Sequence, residues 1–312
     1  MTRLAGTRTH ETDSGWVGAN PDDDLDARLA AEDEAFDLSR PHIMTALGPI
    51  DPAALGVTHF GERLLEFRDE TAASATFDRF DAALAEIEDL YAVGVRGAVA
   101  LDRVDTENLT DLRRLASHSP LHVVLVGEGQ FLDALPPVGA VRARSLDEAA
   151  TVAQLGWPVS TPLLIEAAAV PSPNATRTAI LRACGNLHSL TVLNAAGLDE
   201  ATREVLLGAG ASLAFNAYGT ARHAESPADL VASLARDGQA DRVVLGSGIA
   251  EPARLRAHGG APGWAGLTER FVLELMERGV AATDIRAMLV DNPQRQLTMP
   301  GRAPASGSAE RA

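Results

Sequence analysis

Apolar residues follow two alternating spacings along most of the chain, and each spacing predicts a different element. From Thr76 to Gly94 they recur every three or four positions, which predicts an amphipathic helix that ends at Gly94. The segment from Val95 to Leu101 is almost continuously apolar, which is typical of a strand buried on both faces. The same alternation predicts further strands over 121–126, 140–142, 158–164, 189–194, 211–216 and 241–246, and further helices over 106–117, 146–155, 175–184, 199–207 and 227–237.

This alternation predicts a single α/β domain built as a parallel (β/α)8 TIM barrel. Its first strand begins at Val57, after the turn dipeptide Gly48-Pro49 and a helical turn that Gly56 ends. In such a barrel the functional side chains lie at the carboxyl ends of the strands. We assign 41–299 to the barrel, 1–40 to an acidic, mostly disordered arm with a short helix near 25–36, and 300–312 to a flexible tail.

Composition narrows the classes of partner and of chemistry. A hydrophobic content of 46% can fill the core of one large domain, and a net charge of −16 argues against nucleic acid or anionic membranes as partners. No segment resembles a signal peptide or a membrane span, so we expect a cytoplasmic protein. All 27 basic residues are arginine, which excludes a lysine Schiff base and a carbamylated lysine.

The segment GPIDPAALGVTHFGERLL, residues 48–65, carries the most specific signature in the chain. It resembles the opening of the phosphotriesterase family of the amidohydrolase superfamily, whose members show G-P-I/V…L-G-x-T-x-x-H-E-H-L-L there. The closing segment 263–297, with its Asp291-Asn292-Pro293 turn, is similar to that family as well, and the likeness covers roughly residues 41–299. The resemblance implies a TIM barrel with a binuclear metal site that hydrolyses phosphotriesters or lactones. The connection over 132–139 is shorter than the family's, which implies that one side of the mouth is more open or is covered by another segment.

The residues with which that family holds its two divalent metals are replaced in this sequence. The two histidines of H-E-H match Gly61 and Arg63 here, and neither glycine nor a cationic guanidinium offers a lone pair to a metal. The other ligand positions fall on Arg142 (or on Arg144 after a shift of two), Pro162, Asn194 and Gly248. We therefore expect a barrel without a metal and without another cofactor.

Strand parity predicts which side chains share the barrel mouth, because residues two apart on a strand point to the same face. If Gly61 faces inward, so do His59 and Arg63. We assign proton transfer to His59 or Asp102, and anion binding to the arginines. The predicted substrate-binding residues are Arg63, Arg142, Arg144, Asn194, Asn216, Tyr218 and Trp264, the last as an apolar wall in the loop HGGAPGW.

Each of these assignments has a structural alternative. The arginines can pair internally with Asp102, His59 can be a buried core histidine, and Trp264 can serve packing alone. Ser247 lies between two glycines but lacks the nucleophile-elbow context, so we interpret it as a loop residue.

Three functions compete. The first is a metal-independent enzyme that acts on a small anionic metabolite, a carboxylate or phosphate, by lyase, isomerase, cyclising or hydrolytic chemistry in a specialised, secondary metabolism. The second is a pseudoenzyme that serves as a binding or scaffold protein, and the third is a hydrolase of the parent phosphotriesterase or lactonase type. Convergence of His59, Asp102 and Arg63 in one cavity would favour the enzyme. Apolar packing around Gly61 and Gly248 would favour the pseudoenzyme. A homodimer is left open as the assembly.

Overall fold

The structure is a computed structural model that describes residues 36–65, 79–104, 106–128, 138–149, 161–182, 190–219 and 225–301. Most of the arm predicted over 1–40, with its short helix, and most of the tail predicted over 300–312 lie outside the described residues. The same holds for most of the connection over 132–139.

A short hairpin and a helical turn precede the barrel and cover the amino-terminal end of its strands. Strands β1 (Ile43–Thr45) and β2 (Gly48–Ile50) pair antiparallel, and the 3-10 turn Pro52–Ala54 follows them. The backbone N–H of Ala46 donates to the carbonyl oxygen of Val123 at 2.7 Å. Because Val123 lies near the start of a barrel strand, this bond fixes the hairpin at the end opposite the mouth.

In the described part of the chain, eight parallel strands form a nearly closed barrel, which confirms the predicted fold. Neighbouring strands are hydrogen-bonded in chain order. The first and the last also meet, because the backbone N–H of Ser247 donates to Oε1 of Glu62 at 2.6 Å. The strands are β3 (Thr58–Glu62), β4 (Gly97–Ala100), β5 (His122–Glu128), β6 (Ala140–Ala143), β7 (Leu163–Glu166), β8 (Leu190–Leu193), β9 (Ser212–Asn216) and β10 (Val243–Gly246).

Helices pack around the outside of this barrel. Helix α1 (Arg79–Ala92) buries Ala83, Ile87 and Leu90, which confirms its predicted apolar face, and Gly94 follows it with a φ of 93°. None of the described helices has the length and apolar character needed to cross a membrane. The later helices are α2 (Thr106–Ser117), α3 (Pro173–Arg182), α4 (Glu200–Gly208), α5 (Pro227–Arg236), α6 (Val272–Glu277), α7 (Ala282–Arg286) and α8 (Asn292–Leu297).

Several predicted boundaries differ from the observed ones. The strand predicted over 158–164 is seen as β7, so Pro162 precedes the strand and lies at the end opposite the mouth. The turn predicted at Asp291-Asn292-Pro293 is the start of α8. The helix predicted over 146–155 is helical over 146–149, and its continuation lies outside the described residues.

Two apolar clusters separate the inside of the barrel from its outside. Side chains of alternate strand positions fill the interior, and those of the intervening positions, such as Ala100 on β4, pack in a second cluster beneath the helices. This parity decides which residues at the strand ends point into the mouth. The strand residues of the interior cluster are Phe60, Val99, Val124, Val126, Ala140, Leu164, Leu193, Ala214 and Val244.

A β-bulge interrupts the parity of β3. Phe60 pairs with Val99 and Glu62 pairs with Ala100, so Gly61 is an extra residue on its strand. Gly61 has a φ of 102°, which favours glycine, and a Cβ placed there would lie 3.2 Å from the interior side chain of Leu101. Gly61 therefore faces inward as predicted, whereas Glu62 is turned outward.

Candidate functional site

A continuous row of polar side chains lies along the carboxyl ends of β5 to β9. Each member contacts the next through a hydrogen bond or an ion pair, so the row crosses five neighbouring strands. The carboxyl ends of barrel strands are where side chains from different strands converge on one mouth. We call this row the mouth arc, and its members are Glu128, Arg142, Glu166, Asn194 and Asn216.

Arg142 occupies the centre of the acidic half of the mouth arc. Its Nε donates to Oε1 of Glu128 at 2.8 Å, and its Nη2 donates to the same oxygen. Its Nη1 lies 3.9 Å from Oε1 of Glu166. The Arg142 side chain is 18% exposed, compared with 17% for Glu128 and 34% for Glu166, so the arginine pairs with two partly screened carboxylates. These three side chains together carry a formal charge of −1.

Two asparagine amides continue the mouth arc. Nδ2 of Asn194 donates to Oε2 of Glu166 at 2.6 Å, and Nδ2 of Asn216 donates to Oδ1 of Asn194. Asn194 follows β8 with a φ of 56°, a left-handed conformation that few residues other than glycine adopt. By simple alternation Asn194 would point away from the interior residue Leu193. The left-handed backbone brings it to the mouth, and such local strain is frequent at functional sites.

His59 lies outside the mouth, contrary to the prediction. Its ring is fully buried between β3 and the segment Leu267–Phe271, with Nε2 3.0 Å from Oγ1 of Thr268 and Nδ1 3.4 Å from Oε1 of Glu62. The prediction assumed strict alternation from Gly61, and the bulge at Gly61 breaks that alternation. The structural alternative, a buried core histidine, describes this position.

Asp102 is also held away from the mouth. It shares the parity of Ala100, which faces the helices. Its two carboxylate oxygens accept hydrogen bonds from the backbone N–H groups of Leu64 and Leu65, at 2.8 and 2.7 Å. The side chain is 1% exposed. Asp102 therefore fixes the loop after β3, and the predicted convergence of Asp102 with His59 does not occur.

The other predicted binding residues occupy different surroundings. Arg63 is partly buried in the loop after β3. Arg144 follows the end of β6, is 65% exposed and pairs with Glu148, so it lies on the surface. The hydroxyl of Tyr218 donates to the carbonyl of Gly266 at 2.8 Å, and burial raises the pKa of this hydroxyl. Tyr218 therefore ties the β9 end to the closing segment.

Trp264 is fully buried rather than a wall of the mouth. Its backbone N–H donates to Oε2 of Glu86 at 3.0 Å, and the other oxygen of Glu86 accepts from the N–H of Ala257 at 2.9 Å. Glu86 lies on α1 and is itself fully buried. The loop HGGAPGW is thus anchored to α1, which supports the packing alternative for Trp264.

Ser247 belongs to the seam between the first and last strands. It is fully buried, and its Oγ donates to Oε2 of Glu62. With the backbone bond from the same residue to Oε1, Glu62 accepts both hydrogen bonds that Ser247 can donate. Ser247 is a structural loop residue, as the sequence predicted.

The donor set of the mouth does not fit a pair of divalent metals. Gly61 and Gly248 offer no side-chain ligand, and Arg142 is a cation at the position that the resemblance gives to the bridging lysine. The fifth-strand side chain at the mouth is Glu166, not Pro162 as the alignment predicted. Among the residues that the structure describes, no group of three or more His, Cys, Asp or Glu could hold a metal ion.

Glu128 and Glu166 are functional candidates that the sequence analysis missed. Both close an apolar strand, and each lies two positions after an interior residue, Val126 and Leu164 respectively. Parity counted from these strands would have placed both carboxylates in the mouth. Neither glutamate falls on a position that matches a metal ligand of the family.

Comparison with known proteins agrees with this architecture. The model of the phosphotriesterase family matches residues 143–297. No curated protein sequence matches the chain.

Solved structures of similar shape are phosphotriesterase-like barrels. The phosphotriesterase from Mycobacterium tuberculosis is 20% identical with a TM-score of 0.64, over 82% of this chain and 98% of that one. A lactonase from Listeria monocytogenes is 16% identical with a TM-score of 0.67, over 83% and 99%. A Resiniferatoxin-binding protein from Rhodobacter sphaeroides is 19% identical with a TM-score of 0.67, over 84% and 96%. At these identities the likeness shows the fold.

Proposed function

Since the chain belongs to the phosphotriesterase family, we propose that it is a metal-independent member that binds a small polar metabolite at the barrel mouth and acts on it by acid–base chemistry. The mouth arc is the observation that carries this proposal. It places two carboxylates, a guanidinium and two amides where the family's chemistry takes place, on the rigid ends of five strands.

Glu166 is the candidate for proton transfer. It is 34% exposed, about twice as exposed as Glu128, so it is the carboxylate of the mouth arc that a ligand reaches more easily. The hydrogen bond from Asn194 holds one oxygen in place, and the other oxygen is directed toward Arg142 at ion-pair distance. A positioned carboxylate can take a proton from a substrate and return it, which serves isomerase, lyase, cyclising or hydrolytic reactions.

The arginines give weaker support to an anionic ligand than the sequence suggested. Arg142 is engaged by Glu128 and Glu166, so its charge is offset before a ligand arrives. Arg144 pairs with Glu148 on the surface. The ligand class is therefore better derived from the carboxylates and amides of the mouth arc.

A non-catalytic binding barrel is the second candidate, and one observation favours it. A Cβ at Gly61 would lie 3.2 Å from Leu101 and 4.0 Å from Leu193, so leucine side chains pack against the position that matches the family's first histidine. In this alternative the mouth arc binds a ligand and releases it unchanged. The neighbouring buried groups His59 and Asp102 take part only in structure.

Metal independence is tested on the purified full chain. After dialysis against zinc and then against buffer, elemental analysis should find less than one metal per chain, and chelator should leave activity unchanged. Hydrolysis of a nitrophenyl phosphotriester that depends on added metal would overturn the proposal and restore the parent hydrolase.

Catalysis is tested with a cell extract of small metabolites. The full chain should consume one or more compounds, and Glu166→Gln should lower that rate by at least about a hundredfold, as expected for loss of a general acid or base. Glu204→Gln, at an exposed position of α4, is the matched control. Compounds that are retained by the chain but not consumed would support the non-catalytic candidate.

A further inference from the structure

We propose that the mouth arc takes a ligand that carries a protonated amine. This inference rests on the proposed function, since it names the ligand class of that same site. It follows from the direction of the hydrogen bonds along the mouth arc and from its charge.

The direction of the mouth arc is set at Glu166. An ionised carboxylate only accepts hydrogen bonds, so the group of Asn194 that contacts it is the Nδ2 amide. Oδ1 of Asn194 then points the other way and accepts from Nδ2 of Asn216. The sequence of bonds leaves Oδ1 of Asn216 as the terminal group, and this oxygen is an acceptor.

The acidic half of the mouth arc also ends in acceptors. Both hydrogen bonds from Arg142 to Glu128 reach Oε1, which leaves Oε2 of Glu128 without a hydrogen bond among the described residues. Oε1 of Glu166 lies 3.9 Å from Nη1 of Arg142, which is beyond hydrogen-bond length. Three acceptor oxygens along one row are therefore available to a ligand that donates.

The negative charge of the mouth arc favours a ligand whose hydrogen-bond donor is a cation. The guanidinium of Arg142 is shared by two carboxylates, which leaves the mouth arc with one negative charge in excess. An ammonium group has three N–H donors and no acceptor, so it can donate to these oxygens and its charge offsets the excess. A carboxylate or phosphate at the same place would face Glu166 with like charge.

The adjacent strand packs closely against the Asn216 end of the mouth arc and adds no side chain there. Asn216 packs against Gly248, where a Cβ would lie 2.9 Å from Nδ2, and a Cβ on Gly246 would lie 3.3 Å from Oδ1. Glycine at both positions keeps the Asn216 amide in place without adding a competing side-chain donor. The terminal acceptor is therefore held by the backbone of the β10 end.

Three probes of similar size and different charge test the inference: 2-aminoethanol as the ammonium, ethane-1,2-diol as the neutral analogue and glycolate as the anion. Binding to the full chain is measured at neutral pH by saturation-transfer NMR and by the shift in Tm. We expect the ammonium to bind most tightly. Glu166→Gln should weaken it by at least about tenfold, whereas Glu204→Gln should leave it unchanged.

The outcomes separate the two proposals. Binding of glycolate that Glu166→Gln strengthens, or that Arg63→Ala abolishes, would overturn the amine class and leave a mouth site for anions. Binding of none of the three probes at the mouth would contradict the proposed function as well. The Tm of Glu166→Gln without any probe, together with Glu166→Asp, which keeps the charge, distinguishes lost binding from lost folding.

Discussion

At the scale of single residues, three buried carboxylates hold segments of the backbone in place. Glu62, Glu86 and Asp102 are almost completely buried, and each accepts hydrogen bonds from a segment distant in sequence. A buried carboxylate is costly unless such bonds satisfy it, so these residues are committed to structure. Asp102, which the sequence proposed as a proton carrier, is one of them.

We predict that Asp102→Ala lowers the free energy of unfolding by about 2 kcal/mol, because it leaves the N–H groups of Leu64 and Leu65 without their acceptor. Asp111→Ala, an exposed aspartate on α2, should change it by less than about 0.5 kcal/mol. Denaturant melts measure both. An Asp102 variant of unchanged stability that has lost turnover would identify Asp102 as a catalytic residue after all.

Two glycines with positive φ offer a second test. Gly248 has a φ of 68° and its Cβ would meet Asn216, whereas Gly279 has a φ of 84° and nothing within 4 Å. Alanine at either position strains the backbone by about 1 kcal/mol. We predict that Gly248→Ala costs about 1–3 kcal/mol more than Gly279→Ala, and that it alone weakens binding of the ammonium probe. Equal costs and equal binding would show that Asn216 is free to move without consequence.

At the scale of elements, the Glu86 side chain joins α1 to the loop His258–Trp264. Glu86→Ala should remove about 3 kcal/mol of stability, since two backbone N–H groups lose a buried charged acceptor. Hydrogen exchange of the Ala257 and Trp264 amides should rise in that variant. Glu88→Ala on the exposed face of the same helix is the control. Unchanged hydrogen exchange at both amides would show that the loop keeps its conformation without the hydrogen bonds to Glu86.

The elements also show how far sequence reasoning reaches. Periodicity predicted α2 over its full length and the apolar face of α1, because local spacing and burial agree there. The predicted inward facing of His59 was wrong, because the alternation of side chains along β3 is interrupted by one extra residue. The sequence pattern does not reveal that residue. Asn194 reached the mouth through a left-handed backbone, which a sequence pattern does not reveal either.

At the scale of the whole molecule, the closing segment is tied to the first helix by Arg256. Its guanidinium bonds to Glu269, donates to the carbonyl of Pro262 at 2.8 Å and lies 3.6 Å from Asp89. The hydrogen bond from Arg256 lowers the pKa of Glu269, and the bond to Glu269 raises the pKa of Arg256. Elements far apart in the sequence thus share one charge network.

This network predicts a pH dependence. Because the folded-state pKa of Glu269 lies below its ordinary value of 4.5, the stability it contributes is present above that value and is lost as the pH falls through the lower, folded-state pKa. Glu269→Gln should therefore be less stable than the unmodified chain near neutral pH, and the difference should shrink on acidification. Denaturant melts at about pH 7 and about pH 3 measure this. A difference that stays constant would exclude the ion pair as its cause.

The order and direction of the strands were predictable as a whole, since eight apolar segments separated by helical periodicity leave few other folds. The pairing of Arg142 with Glu128 and Glu166 was not, because it depends on the register between the neighbouring strands β5, β6 and β7. Charged residues at the ends of apolar strands were visible, but their partners became identifiable only with the register of β5, β6 and β7.

The bulge at Gly61 has a consequence for any attempt to engineer a metal centre back into this barrel. A histidine at position 61 would have to adopt a φ of 102° and enter space that Leu101 fills. Deleting Gly61 would restore strict alternation, with Phe60 inward and His59 and Glu62 outward as they are now, but it would also remove the inward position that matches the family's first histidine. A metal ligand at this position therefore requires redesign of the strand and not only an exchange of side chains.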